Sequence, residues 1–128
     1  MIYLDSSVVL AQLFGEQRTL PVVVGNEYLT SSQLLQYEVW NRIHARGLTH
    51  SHGLITQELL NRVMLLALSP PILARALEPF PVAVRTLDAL HLASIEYLRQ
   101  REQEIMLASF DRRLLAGALA LGIPIYEG

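Results

Sequence analysis

Four carboxylates, Asp5, Glu38, Asp88 and Asp111, stand where a helix is about to begin or has just begun. Asp5 follows the apolar run Ile2-Tyr-Leu4, and Asp111 comes soon after Ile105-Met-Leu-Ala108. Asp88 falls in the first turn of one helical pattern, and Glu38 about one turn into another. Taken singly, each reads as an ordinary helix-start acid, because unpaired backbone N–H groups and the positive dipole end favour a carboxylate there. Taken together, with Ser6 and Ser109 beside two of them, they also read as a carboxylate cup. Clustered carboxylates repel, and staying ionised together is costly unless a cation neutralises them. Oxygen donors with open positions suit Mg2+ or Mn2+. Such an ion can clamp a phosphodiester and lower the pKa of an attacking water. The chain has no cysteine, no Ser-His-Asp pattern and no glycine-rich phosphate loop, so metal-assisted hydrolysis is the chemistry best supplied.

The elements that must position these acids follow from periodicity. Ile2-Tyr-Leu4 is a short strand running into a helix through Val8, Val9, Leu10, Leu13 and Phe14, which Gly15 ends. Leu20 to Val24 is a strand or an irregular apolar segment, weakened as a strand by Pro21. Tyr28-Leu-Thr30 is a second strand, and Ser31-Ser32 supply the N-cap of a helix that buries Leu34, Leu35, Val39, Trp40 and Ile43. Gly47 stops that helix. Ser51 caps a third, with Leu54, Ile55, Leu59, Val63, Leu66 and Ala67 as its inner side. His44, His50 and His52 cluster near this turn as surface or capping residues. Ile72 to Leu77 is a short helix between proline breaks, and Phe80 to Val84 is a loop or extended piece. The stretch Arg85-Thr-Leu-Asp88-Ala-Leu-His91-Leu-Ala-Ser94 opens the central helix, which runs to about Gln103. Its buried face is Leu87, Leu90, His91, Ser94, Ile95 and Leu98. Ile105 to Ala108 is a buried strand, and Leu114 to Leu121 a helix stopped by Gly122. Ile123-Pro-Ile125-Tyr126 is a last edge strand. Short strands alternating with longer helical patterns imply an α/β fold around a mostly parallel sheet.

Composition sets the outer bounds. The 128 residues, 52% hydrophobic and 17% charged, suffice for one domain over 1–128 with a core of its own. A net charge of −2 offers no basic footprint for strong non-specific nucleic-acid binding, so a polyanion must be met by a bound cation or local arginines. The absence of cysteine excludes disulfides, zinc–thiolate sites and thiol nucleophiles. With neither a signal-peptide pattern nor a bilayer-spanning apolar run, the expectation is a cytoplasmic protein without membrane contact.

Four segments together resemble the PIN domain, specifically the VapC type of toxin nuclease: Ile2-Tyr-Leu-Asp5-Ser-Ser, Tyr37-Glu38-Val, Arg85-Thr-Leu-Asp88-Ala-Leu-His91-Leu-Ala and Ala108-Ser-Phe-Asp111-Arg-Arg-Leu. The third is the most specific, and the resemblance covers the whole chain. It implies a three-layer α/β/α sandwich around a parallel sheet and a Mg2+- or Mn2+-dependent endoribonuclease acting on RNA. It also implies a VapB-type antitoxin that blocks the site, and a toxin homodimer. Carried over by position, Asp5, Glu38, Asp88 and Asp111 are the acidic quartet. Asp5 and Asp88 are then the first choice for direct metal ligands, and Glu38 and Asp111 complete the shell. Ser6 and Ser109 match the family's small hydroxyl positions, with a helix cap as the alternative account of either. Arg85, Arg112 and Arg113 are near enough to contact RNA phosphates, with a solvated first turn as the plainer account of Arg112 and Arg113. His91 reads as a packed core histidine rather than a general base. Two rivals stand beside this reading. One is a non-catalytic binding or assembly module of the same fold. The other is a phosphatase with an Asp nucleophile and a nearby lysine, which a chain whose ten basic residues are all arginine supports poorly.

Overall fold

The computed structural model describes residues 1–18, 28–101 and 103–128; the apolar segment Leu20 to Val24 lies outside them. In chain order the elements are β1 (Ile2–Leu4), α1 (Ser6–Leu13), β2 (Leu29–Ser32), α2 (Leu34–Ala45), α3 (Thr49–Asn61) and β3 (Val63–Leu66). There follow α4 (Pro70–Ala76), α5 (Thr86–Gln100), β4 (Met106–Ala108) and α6 (Arg112–Ala120). The four strands form one sheet in the order β3-β2-β1-β4, and every pairing is parallel.

Alternation along β1 divides the core into two. Ile2 and Leu4 pack with Val8, Leu35, Val39, Ile43 and Leu59 from α1, α2 and α3 on one face. Tyr3, between them, points to the opposite face, where Leu92, Ile95, Leu114 and Ala118 of α5 and α6 cover the sheet. The result is the expected α/β architecture, helices on both faces of a parallel sheet.

The strand order also fixes where a site can form. From β1 the chain steps outward to β2 and β3, then returns to place β4 on the other side of β1. The carboxyl ends of β1 and β4 therefore flank a topological switch point, the crevice where open α/β sheets bind ligands. Leu4 and Ala108 are register partners, so Asp5 and Ser109 emerge at the same edge. The Asp5 N–H donates to the Ala108 carbonyl at 3.0 Å.

Several boundaries differ from the sequence reading, for physical reasons. The third helix ends at Asn61, and Val63–Leu66 is an edge strand paired with β2 rather than a continuation of its inner face. A four-residue apolar run satisfies either period, and here the long-range ladder decides. Leu54 and Ile55 consequently lie outside, 82% and 57% exposed, and Thr56, Leu59 and Leu60 form the buried side. Leu48, not Ser51, occupies the N-cap of α3. Ser31 and Ser32 belong to β2, although the Ser32 hydroxyl still accepts the Leu34 N–H at 3.1 Å. Leu87 is 45% exposed on the first turn of α5, and that helix ends at Gln100. The closing strand reduces to one parallel bridge between Leu107 and Ile125. Pro124 offers a carbonyl to Leu107 but no N–H, so a longer ladder cannot form there. The α2–α3 corner turns at Gly47, φ +68°, with the Leu48 N–H reaching back to the Ile43 carbonyl.

Candidate metal centre

Asp5 ends β1 and caps α1, which places its carboxylate at the switch point. Its Oδ2 accepts the Ser7 hydroxyl at 2.6 Å, the Ser109 hydroxyl at 2.8 Å and the Ser7 N–H at 3.4 Å. The same two hydroxyls tie down the β4 end. Ser7 Oγ accepts the Phe110 N–H and Ser109 Oγ the Asp111 N–H, each at 2.9 Å. Every hydrogen bond to the Asp5 carboxylate from the described residues goes to Oδ2, so Oδ1 remains for a cation.

Glu38 reaches the same place from α2. Its Oε1 lies 2.8 Å from His91 Nε2, and His91 Nδ1 lies 2.7 Å from the Tyr3 hydroxyl. That hydroxyl accepts the Ser32 N–H at 3.1 Å. Tyr3 is fully buried, and burial raises its phenol pKa well above the ordinary value, against the opposing hydrogen bonds around it. For His91, burial by itself lowers the pKa, but the hydrogen bond and charge of Glu38, aided by Asp5 and Asp88, raise it above 6.5. One ligand-capable atom each from Asp5, Glu38 and His91 lies within 4.8 Å of the other two.

Asp88 and Asp111 complete the enclosure. Asp88 is third in α5, and its Oδ2 accepts the Arg85 N–H at 3.1 Å, a helix-start bond that leaves Oδ1 without a partner among the described residues. Asp111 caps α6, its Oδ1 accepting the N–H groups of Arg113 and Leu114 at 2.9 and 3.2 Å. All four acids thus line one cavity of about 830 Å³. Asp5 and Asp88 are nearly buried, 5% and 8% exposed, and Asp111 is exposed at the rim. Asp5, Asp88 and Asp111 also satisfy helix-start N–H groups, so for these three the plain reading and the cup coexist.

Sequence reasoning put Asp88 beside Asp5 as the first ligand pair; among the described residues the group whose ligand atoms lie within 4.8 Å of one another is Asp5 with Glu38 and His91. Ser109 bonds to Asp5, whereas Ser6 lines the cavity without a hydrogen bond to any of the acids. Ser7 does what was assigned to the hydroxyl before it, and its signal was available: a serine two residues after an N-cap acid can donate both N–H and O–H to it. Arg85 and Arg113 line the cavity, joined by Arg42; Arg112 does not. His91 is a buried core residue, as its helical face implied, with its polar partner 53 residues away in sequence. Glu38 Oε2 has no partner among the described residues, and His91 has both ring nitrogens engaged. The free donors are therefore carboxylate oxygens, the set that fits Mg2+ or Mn2+. A second cavity, about 670 Å³, runs between α4, the proline segment and the start of α5. Its walls are mostly apolar, with Glu78 the one acid among its lining residues.

Residues 2–118 match the family model described as the PIN domain. Curated protein sequences yield no match to the chain.

Proposed function

This chain belongs to the PIN-domain family, and from that premise we propose that it is a metal-dependent endoribonuclease, the cytoplasmic toxin of a type II toxin–antitoxin pair. PIN domains are generally metal-dependent nucleases, and the acids of this chain cluster as such a centre requires. The observation that carries the reading is the single cavity lined by Asp5, Glu38, Asp88 and Asp111, which four separate elements deliver. Each of the four side chains keeps an oxygen without a partner among the described residues, as a cation cup needs.

Asp5 Oδ1, Glu38 Oε2 and Asp88 Oδ1 would hold the ion, with Asp111 completing the acidic shell from the exposed rim. Bound Mg2+ or Mn2+ supplies neutralising charge and a water acidic enough to attack a phosphodiester. Ser7 and Ser109 hold the Asp5 carboxylate fixed, so its position needs no rearrangement as charge develops. Arg85 and Arg113 would anchor the RNA backbone at the cavity edge, where a guanidinium matches phosphate in geometry and charge.

Asp5→Asn is the direct test. The variant is expected to stay folded, because Asn also caps helices well, and to lose RNA cleavage by about 100-fold or more, the scale of removing one transition-state electrostatic contact. Purified Asp5→Asn protein that cuts RNA at the wild-type rate ends the proposal. The toxin role adds a cellular readout: induced wild-type protein arrests growth, Asp5→Asn does not, and co-expression of a VapB-type antitoxin relieves the arrest. Growth unaffected by active wild-type enzyme would separate nuclease from toxin. The rival, a non-catalytic module, requires no heat on titration with Mn2+. Among the described residues no helix is long and apolar enough to cross a membrane.

A further inference from the structure

A polar chain runs through the core from the sheet to the cavity, and the family assignment does not account for it. It begins at the Ser32 N–H at the end of β2, passes to the Tyr3 hydroxyl on the central strand, crosses to His91 on α5 and ends at Glu38 Oε1. Tyr3 is 0% and His91 1% exposed. Buried polar groups are costly unless every partner is present. Here each is satisfied, and the path leads to a cavity acid. The two rings meet edge-on, centroids 5.7 Å apart at 83°, so packing as well as hydrogen bonding fixes the imidazole.

We propose that Tyr3 and His91 are a buried positioning pair that sets the Glu38 carboxylate for the divalent ion. This rests on the metal-centre reading above. Glu38 stands on α2 with three rotatable side-chain bonds and no other hydrogen bond to a described residue. His91 takes one of its oxygens and thereby directs the other to the cavity. A neutral imidazole that accepts the Tyr3 hydroxyl proton at Nδ1 carries its own proton on Nε2 and donates it to Glu38. An imidazolium donates from Nε2 as well, so the arrangement holds in either protonation state. Both ring nitrogens are occupied, which makes His91 the support of a ligand rather than a ligand. Groups that orient metal ligands in this way alter metal affinity about 10- to 100-fold when removed.

The experiment is Mn2+ titration calorimetry on the purified full chain, with unfolding temperatures measured alongside. Tyr3→Phe and His91→Leu are expected to weaken Mn2+ binding by about 10- to 100-fold. His91→Gln, whose amide nitrogen can donate from nearly the position of Nε2, is expected to recover most of the loss. Ile72→Ala, in the buried face of α4 and outside the cavity lining, controls for lost stability: it lowers the unfolding temperature and leaves Mn2+ affinity unchanged. Tyr3→Phe also strips the Ser32 N–H of its partner, so His91→Leu reads the same link from the other side if Tyr3→Phe does not fold. Wild-type affinity in folded His91→Leu, no recovery in His91→Gln, or an equal loss in Ile72→Ala would each overturn the positioning role while leaving the metal centre standing. Wild-type protein that binds no Mn2+ would instead remove the metal centre, and the positioning role with it.

Discussion

The imidazole of His91 is where burial and charge compete most directly. Burial disfavours the imidazolium, yet Glu38 at hydrogen-bond distance, with Asp5 and Asp88 nearby, prevails and holds the folded pKa above 6.5. The folded chain then binds this proton more tightly than the unfolded chain. The associated stability is fully present below the unfolded pKa of about 6.5 and is lost as pH rises through the higher folded value. Ion-free wild-type protein should therefore lose thermal stability as pH is raised upward from 6.5, and His91→Leu should show a flatter profile. An identical slope in both proteins would mean that another group governs it. At this scale the sequence was informative about types and poor about partners. Asp5, Asp88 and Asp111 were legible because each sits beside an element boundary, and Glu38 because it lies one turn into α2. The link from Glu38 to His91 was not, because it joins residues 53 apart and depends on which way two helices face.

Between helices the close approach of α5 and α6 sets a limit on side-chain size. A Cβ added at Gly117 would lie 2.7 Å from Leu92 Cδ1 and 3.2 Å from Val84 Cγ1. Leu92 is fully buried, so it has little freedom to yield. Alanine would gain about 1 kcal/mol in helix propensity, whereas overpacking a filled core costs about 1–3 kcal/mol. Gly117→Ala is thus expected to lower stability modestly, by at most about 2 kcal/mol in denaturant unfolding. A clear gain in stability would show that Leu92 moves aside freely. Elements themselves were largely readable where a long helical period or a strand-to-acid junction marked them, as in α5, β1 and β4. The error came at Val63–Leu66, where four apolar residues carry no period of their own and only pairing with distant β2 makes them a strand. The short helix before α5 was legible but its start was not: Pro70 and Pro71 read as a break, whereas they open α4 at positions where a missing N–H costs nothing.

For the molecule as a whole, the surface balances little charge against exposed apolar patches. Leu54 on α3 and Leu77 just past α4 are 82% and 88% exposed, and Leu73, on the α4 side, helps line the apolar cavity. The homodimer that the sequence resemblance implies is a proposal with its own measurement. Sedimentation equilibrium should return twice the chain mass of 14.4 kDa; a single-chain mass at micromolar concentration would count against self-association. The α/β class and its mostly parallel sheet were legible from alternation of strands and helices, and the three layers were implied by the family resemblance, but the order β3-β2-β1-β4 was not legible, since nothing local says on which side of β1 the last strand inserts. That order has a consequence in time. Asp5 is synthesised before Ser109, which grips it and follows 104 positions later. A chain that has emerged only through α5 still lacks β4 and one rim of the cup. Completion of the cup therefore waits until translation has passed residue 111, a delay set by how far apart in sequence its two rims lie.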